Sequence, residues 1–171
     1  MRADPFSYAV TGCDQSPNTE HPSTIAMEAA AEKGQQLMPM ITVRYVTPLS
    51  NDDLGTRIAG LASGLAHEKF GKDPNVTAVS VENADPKGWF IAGKRPVDAG
   101  LAAFWFDIKI TAGINTKDET SAFVKAVFDG MAELLGPVHE ESYVLVHAAD
   151  GDAYGYGGRT QNARWAVAHP G

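Results

Sequence analysis

Any chemistry in this chain turns first on the pair Met38-Pro39. A proline that begins a chain is a secondary amine. A terminal amine titrates at about 8 in simple peptides, so it can take up and return a proton near neutral pH. A proline inside a chain is an amide and has no basic lone pair. As the sequence stands, Pro39 is acylated by Met38 and opens the apolar run Pro39-Met40-Ile41-Thr42-Val43-Arg44-Tyr45-Val46. Other reactive residue types give less. Cys13 is the sole cysteine, which excludes an intrachain disulfide and a cysteine metal cluster. His67 and His147 stand apart and beside no carboxylate cluster, so they read as surface or capping residues, and no metal is expected. No Ser/His/Asp spacing is legible. Tyr154-Gly155-Tyr156-Gly157-Gly158-Arg159 is glycine-rich but follows a strand without opening a clear helix, so it is not a phosphate loop.

Composition bounds the setting. The 171 residues make one domain with enough chain for a core, and 44% hydrophobic with 20% charged residues is the balance of a soluble globular protein. A net charge of −7 argues against a general nucleic-acid or anionic-membrane surface, while local basic residues can still hold a small anion. No apolar run approaches a membrane span, and the N-terminus lacks the pattern of a signal peptide. The expectation is a soluble, cytoplasmic protein without nucleic-acid or membrane partners.

The elements that must position Pro39 follow from periodicity. Residues 1–38 read as an irregular extension, with a short helix over 24–36, and 39–171 as the folded domain. Ile41, Val43 and Tyr45 alternate with Thr42 and Arg44, a strand pattern. Ser50 and Asp53 have the spacing of a capping box, and Leu54, Ile58, Leu61 and Leu65 mark one helix face ending at Gly71. Val76 to Val81 reads as a second strand. The cycle repeats with Phe104, Phe106, Ile108 and Ile110 in a strand, and Thr116 and Glu119 as a full capping box. Phe123, Val127, Met131 and Leu134 form the second helix stripe, Gly136-Pro137 the stop, and Tyr143 to Val146 the last core strand. Corresponding positions lie about 65 residues apart, so 39–147 is a duplicated β-α-β unit. Parallel pairing within each unit predicts an α+β fold: a four-stranded sheet with both helices on one face. The other face, with Thr42, Arg44, Trp105, Asp107 and Lys109, is then left for association with copies of the chain.

A duplicated β-α-β chain that opens with Met-Pro and a strand resembles the tautomerase superfamily, which includes 4-oxalocrotonate tautomerase and macrophage migration inhibitory factor. The residues that carry the likeness are Met38-Pro39-Met40-Ile41-Thr42-Val43, Gly71-Lys72 before Thr77-Ala78-Val79-Ser80-Val81, Trp89 to Gly93, and Tyr143 to Gly158. The resemblance implies a homotrimer with active sites between subunits, an amino-terminal proline as base, and no cofactor. The reaction expected is 1,3-proton transfer in a small 2-oxo or 2-hydroxy-dienoic acid, or a phenyl-enol relative. Pro39 would be base and then acid, and Tyr143 would polarise the oxygen. Lys72 and Arg95 would hold the carboxylate, with Tyr154 as a further pocket residue and the closing glycine-rich segment wrapped on a neighbouring subunit. Lys109 is expected in a structural network with Asp107 or Arg44. Relatives that hydrate haloacrylates or decarboxylate malonate semialdehyde carry paired arginines in the loop that here reads Thr111-Ala112-Gly113-Ile114-Asn115, with none. That departure favours keto–enol tautomerisation. The amine must be free for it, either through translation from Met38 followed by methionine removal, which the purine-rich codons of Glu32-Lys33-Gly34, resembling a ribosome-binding site, favour, or through cleavage of a precursor after Met38. The alternative is a non-catalytic oligomeric scaffold of the same fold.

Overall fold

A computed structural model describes residues 38–168 and Pro170. The helix expected over 24–36, and the extension apart from Met38, lie outside the described residues. Strand β1 (Met40–Val46) alternates as its sequence requires: Ile41, Val43 and Tyr45 are buried on one face, and Met40 and Arg44 are exposed on the other. Helix α1 (Leu54–Phe70) then crosses to β2 (Ala78–Asn83). The second unit is β3 (Ala103–Thr111), α2 (Lys117–Leu135) and β4 (Tyr143–Ala149). The chain closes with a two-residue hairpin, β5 (Gly155–Tyr156) and β6 (Arg159–Thr160), and helix α3 (Gln161–Ala168).

The sheet order is β2-β1-β3-β4. Each unit pairs in parallel within itself, β1 with β2 and β3 with β4, and the units join antiparallel through β1 and β3. Both α1 and α2 lie on the face carrying Ile41, Val43, Phe104, Phe106 and Ile108, as the duplicated pattern predicts. The fully buried stripes run at strict fourth-residue spacing: Leu54, Ile58, Ala62, Ala66, Phe70 on α1, and Phe123, Val127, Met131, Leu135 on α2. Leu61, Leu65 and Leu134 flank these rows half-buried. Leu61 fills the seam between the helices at Gly130, where a Cβ would come within 2.7 Å of Leu61 Cδ1. Phe70 stacks on Phe123 with ring centroids 4.4 Å apart, joining the end of one helix to the start of the other.

The two helix starts differ. At α2 the full box forms: Glu119 N–H donates to Thr116 Oγ1 (3.2 Å) and Thr116 N–H to Glu119 Oε2 (2.8 Å). At α1 the expected Ser50–Asp53 box does not. Asp53 is itself the cap residue, without a side-chain hydrogen bond, and the N–H that Ser50 would have to hold goes to Asn51 Oδ1 at 2.9 Å. Gly71 ends α1 in the left-handed region, φ 62°, as a C-cap glycine should. A smaller apolar cluster, Val46, Ala84 and Ala103 with half-buried Trp89, Ile91 and Val97, lies on the sheet's open face where the 84–101 excursion folds over one end. Both clusters are built from residues between Ile41 and Leu135, so the described chain from Pro39 onward carries its own core and every strand and helix named above.

Candidate active site at the Pro39 end of the sheet

Topology sorts the chemistry-bearing residues to two ends of the sheet. β1 and β2 begin, and β3 and β4 finish, at the same end: Met40 is opposite both Ala78 and Lys109, and Lys109 is opposite His147. Pro39 is buried there, at the first position before a central strand, where a missing N–H breaks no ladder bond. Its carbonyl accepts from Ala78 N at 3.3 Å.

Lys72 reaches this end from the C-terminus of α1. The αL turn at Gly71 sends Lys72 N–H back to Ala66 O (3.1 Å), and His67 Nδ1 lies 2.9 Å from Lys72 O. The Lys72 side chain is only 2% exposed. Burial pulls its pKa down from 10.5 to about 8, against the opposing field of Glu119. Glu119 is in turn held below the usual carboxylate range, first by the Thr116 backbone N–H, with Asn115, the Thr116 side chain and Lys72 adding to it against burial.

The C-terminal segment completes this end. A Gly157-Gly158 turn, φ 55° and 74°, closes the β5–β6 hairpin. Arg164 lies over the Tyr156 ring at 3.7 Å and donates to Tyr156 O at 2.8 Å, locking α3 onto the hairpin. Tyr154 OH is 2.7 Å from Thr111 Oγ1. Burial raises its pKa, and hydrogen bonds from Thr111 and Gln161 oppose the rise. Gln161, 2% exposed, donates from its backbone N–H to Tyr154 O (3.1 Å) and from Nε2 to Met38 O (3.3 Å). These contacts hold the closing segment on its own chain. The sequence reading missed α3 and Gln161. A signal for α3 existed: Thr160 Oγ1 caps the helix by accepting from Ala163 N at 3.1 Å. None existed for Gln161, because its partner is a backbone carbonyl 123 residues away.

Two expected site residues lie at the other end. Tyr143 pairs with Trp105, which pairs with Arg44, five residues along β1 from Pro39 and so about 16 Å distant. Its hydroxyl donates to Glu141 Oε2 at 2.9 Å, an interaction that raises its pKa. Arg95 lies within the 84–101 excursion, just before the 3-10 turn Pro96–Ala99, and is paired with Asp98 at 2.9 Å. Within one chain the structure therefore brings Pro39, Lys72 and Tyr154 to one end and leaves Tyr143 and Arg95 at the opposite one. On the open face, Asp107 bridges Lys109 (2.6 Å) and His147 (3.3 Å), while Arg44 pairs with Glu82 rather than with Lys109's network. Among the described residues no three His, Cys, Asp or Glu side chains gather as a metal site, and no helix is long and apolar enough to cross a membrane.

Neither a protein-family model nor a curated protein sequence matches this chain. Solved structures do. Pt0534 inactivated by 2-oxo-3-pentynoate superposes with a TM-score of 0.64 at 17% identity, over 73% of this chain and 98% of its own. A fused 4-OT, a wild-type symmetric trimer, gives 0.63 at 15% identity over 73% and 98%. A macrophage migration inhibitory factor-like protein from Entamoeba histolytica gives 0.58 at 16% identity over 71% and 97%. Together with the duplicated β-α-β topology, these likenesses show that the chain has the fold of the tautomerase superfamily.

Proposed function

We propose that this protein is a keto–enol tautomerase for a small 2-oxo or 2-hydroxy-dienoic acid, or a phenyl-enol acid, with Pro39 as the base when its nitrogen is a free amine. The observation that carries the reading is the burial of Pro39 at the start of a central strand, at the same sheet end as the buried cation Lys72. An amine needs a neutral lone pair to take a proton from carbon. Desolvation and a nearby positive charge both disfavour the charged amine and push it toward neutrality at pH 7. Lys72 supplies the charge and a counter-ion for the substrate carboxylate. In the forward direction the proton beside the keto group passes to the Pro39 nitrogen and the freed electron pair forms the enolate. The same nitrogen then returns the proton at another position.

The sheet's open face supports assembly into a homotrimer. Met40, Trp105, Tyr143 and Leu145 expose large apolar surface on it. Packing that face on copies of the chain would carry Tyr143 and Arg95 of one copy toward Pro39 of another, which reconciles their distance within one chain with a shared site. The fused 4-OT relative is a trimer. A second reading has its own observation. With Met38 in place Pro39 is an amide, and Gln161 holds the Met38 carbonyl, so the chain in that state is a closed precursor.

The test uses the acetylenic 2-oxo acid that inactivates Pt0534. A free Pro39 amine adds to the alkyne of 2-oxo-3-pentynoate, forming a carbon–nitrogen bond while a proton moves to the adjacent alkyne carbon. No group leaves, so the protein gains the whole mass of the inhibitor. The expected result is one adduct per chain on the Pro39 peptide, with loss of phenylenolpyruvate ketonisation in step. An adduct elsewhere, or activity that survives full labelling of Pro39, would contradict the proposal.

A further inference from the structure

Lys72 and Gln161 are the buried polar side chains among the described residues. Lys72 has a use in the reading above, but Gln161 does not. Its carboxamide donates to the carbonyl of Met38, the oxygen two bonds from the Pro39 nitrogen. That placement does not depend on Met38. Gln161 opens α3, its backbone N–H is fixed on Tyr154 O, and Asn162 N–H is fixed on Gly151 O at 3.1 Å. The Tyr154 side chain is anchored on Thr111 at the end of β3. The α3–hairpin unit that carries Gln161 is therefore anchored by contacts that do not involve Met38, and the Gln161 side chain is held by Tyr154 as well as by the Met38 carbonyl.

Resting on the tautomerase reading, we propose that Gln161 is a catalytic residue: its Nε2 donates to the keto oxygen of the bound 2-oxo acid and stabilises the enolate that forms there. The Met38 carbonyl marks the place of that oxygen in the acylated chain. The Gln161 carboxamide has two N–H groups; with one held at Tyr154, removal of Met38 leaves the other without its acceptor, and a buried unsatisfied donor favours an oxygen-bearing ligand beside the base. The proton leaves the carbon next to the keto carbon for the Pro39 nitrogen. The C–H electron pair becomes the carbon–carbon double bond, and the carbonyl pair moves onto oxygen. Charge thus grows on the atom that Gln161 holds, and a fixed donor in a water-poor site binds it more strongly in the transition state than in the ground state. With Lys72 on the carboxylate and Gln161 on the adjacent oxygen, the substrate class narrows to acids whose oxygen-bearing carbon is directly bonded to the carboxyl group.

The experiment compares chains that start at Pro39, made by initiation at Met38 with methionine removal and checked by intact mass and thermal unfolding. Gln161→Leu removes the donor, and Gln161→Glu keeps the shape but replaces the donor with an acceptor. Ketonisation of phenylenolpyruvate is followed across pH. The expected result is a fall of about 100-fold in kcat for both variants, with KM changed by no more than about threefold. In Gln161→Glu the carboxylate beside the amine also moves the acidic limb of the profile to higher pH. If Gln161→Leu unfolds, the Gln161→Glu profile decides alone. Full kcat in a folded variant, with an unmoved limb, overturns the role of Gln161 and leaves the tautomerase reading standing. An inactive unsubstituted Pro39 chain overturns both.

Discussion

The two ends of one four-stranded sheet have been put to different uses. At the end where β1 begins, polar groups are buried: Pro39, Lys72 and Gln161 are out of water, with Tyr154 half-buried among them. At the end where β1 finishes, an apolar cluster of Val46, Ala84 and Ala103 seals the sheet, and the polar groups, Arg95 with Asp98 and Tyr143 with Glu141, are satisfied at the surface. Burial of a charge is costly, and a chain keeps it where the charge is used. The contrast is one of burial: buried polar groups gather at one end and surface-satisfied pairs at the other, and on the proposed reading the first end carries the chemistry while the open face meets a second copy.

The sharpest way to break this contrast is at the base itself. In a chain starting at Pro39, Pro39→Ala should lower kcat/KM for phenylenolpyruvate by roughly 10²–10⁴-fold, while a matched substitution of Val97 to Ala at the sealed end leaves it nearly unchanged. Steady-state kinetics on the two variants checks this.

Lys72 gives the next largest effect, read in stability. Its pKa falls from 10.5 in the unfolded chain to about 8 in the fold. Between those values the unfolded chain holds a proton that the folded one lacks, so stability rises with pH across that window, and below it Lys72 costs at most about 3 kcal/mol. Lys72→Met should therefore be more stable than the unsubstituted protein at pH 7, with the difference shrinking from pH 8 to about 10. Its KM for a carboxylate substrate should rise about tenfold through loss of the charged hydrogen bond. Denaturant unfolding at several pH values, with one set of kinetics, tests both parts.

The far end enters only if copies assemble. Arg95→Ala should raise KM about tenfold when Arg95 of one copy reaches Pro39 of another. Mixing Pro39→Ala chains with Arg95→Ala chains should then restore part of the activity, since some sites combine an intact Pro39 from one chain with an intact Arg95 from the other. No recovery on mixing would return Arg95 to a surface pair with Asp98.

The smallest effects separate two glycines. A Cβ at Gly155 would sit 2.0 Å from Arg159 O, so Gly155→Ala should open the hairpin that carries Tyr154 and Gln161 and cost about 1–3 kcal/mol. Gly60 is exposed in mid-α1 with nothing within 4 Å of its Cβ position, so Gly60→Ala should stabilise by about 0.5–1 kcal/mol. Thermal unfolding of the pair measures both.

The fold was legible in the sequence because its signals are local. Alternation in β1 and β3, the Thr116–Glu119 box and the Gly71 cap each concern residues within a few positions of one another, and each forms as read. Ser50–Asp53 failed where a competing local donor–acceptor pair, Asn51 with Asp53, was equally close. At the site, Pro39 and Lys72 were legible through the family resemblance, and the parallel β1–β2 pair puts both at one end of the sheet. Gln161 was not, because its bond is to a backbone carbonyl, which no residue type announces. The distance of Tyr143 and Arg95 from Pro39 was not legible either. It depends on which end of the antiparallel β1–β3 pair each loop occupies, and the repeat alone leaves that open.

The central claim is that Pro39 acts as a free amine. The most direct test is the intact mass of the untagged protein purified from its own cells. The account predicts a mass corresponding to Pro39–Gly171, with the buried nitrogen basic and the Gln161 donor open to substrate. A mass that retains Met38 would contradict it, leaving the proline an amide and the fold without its base.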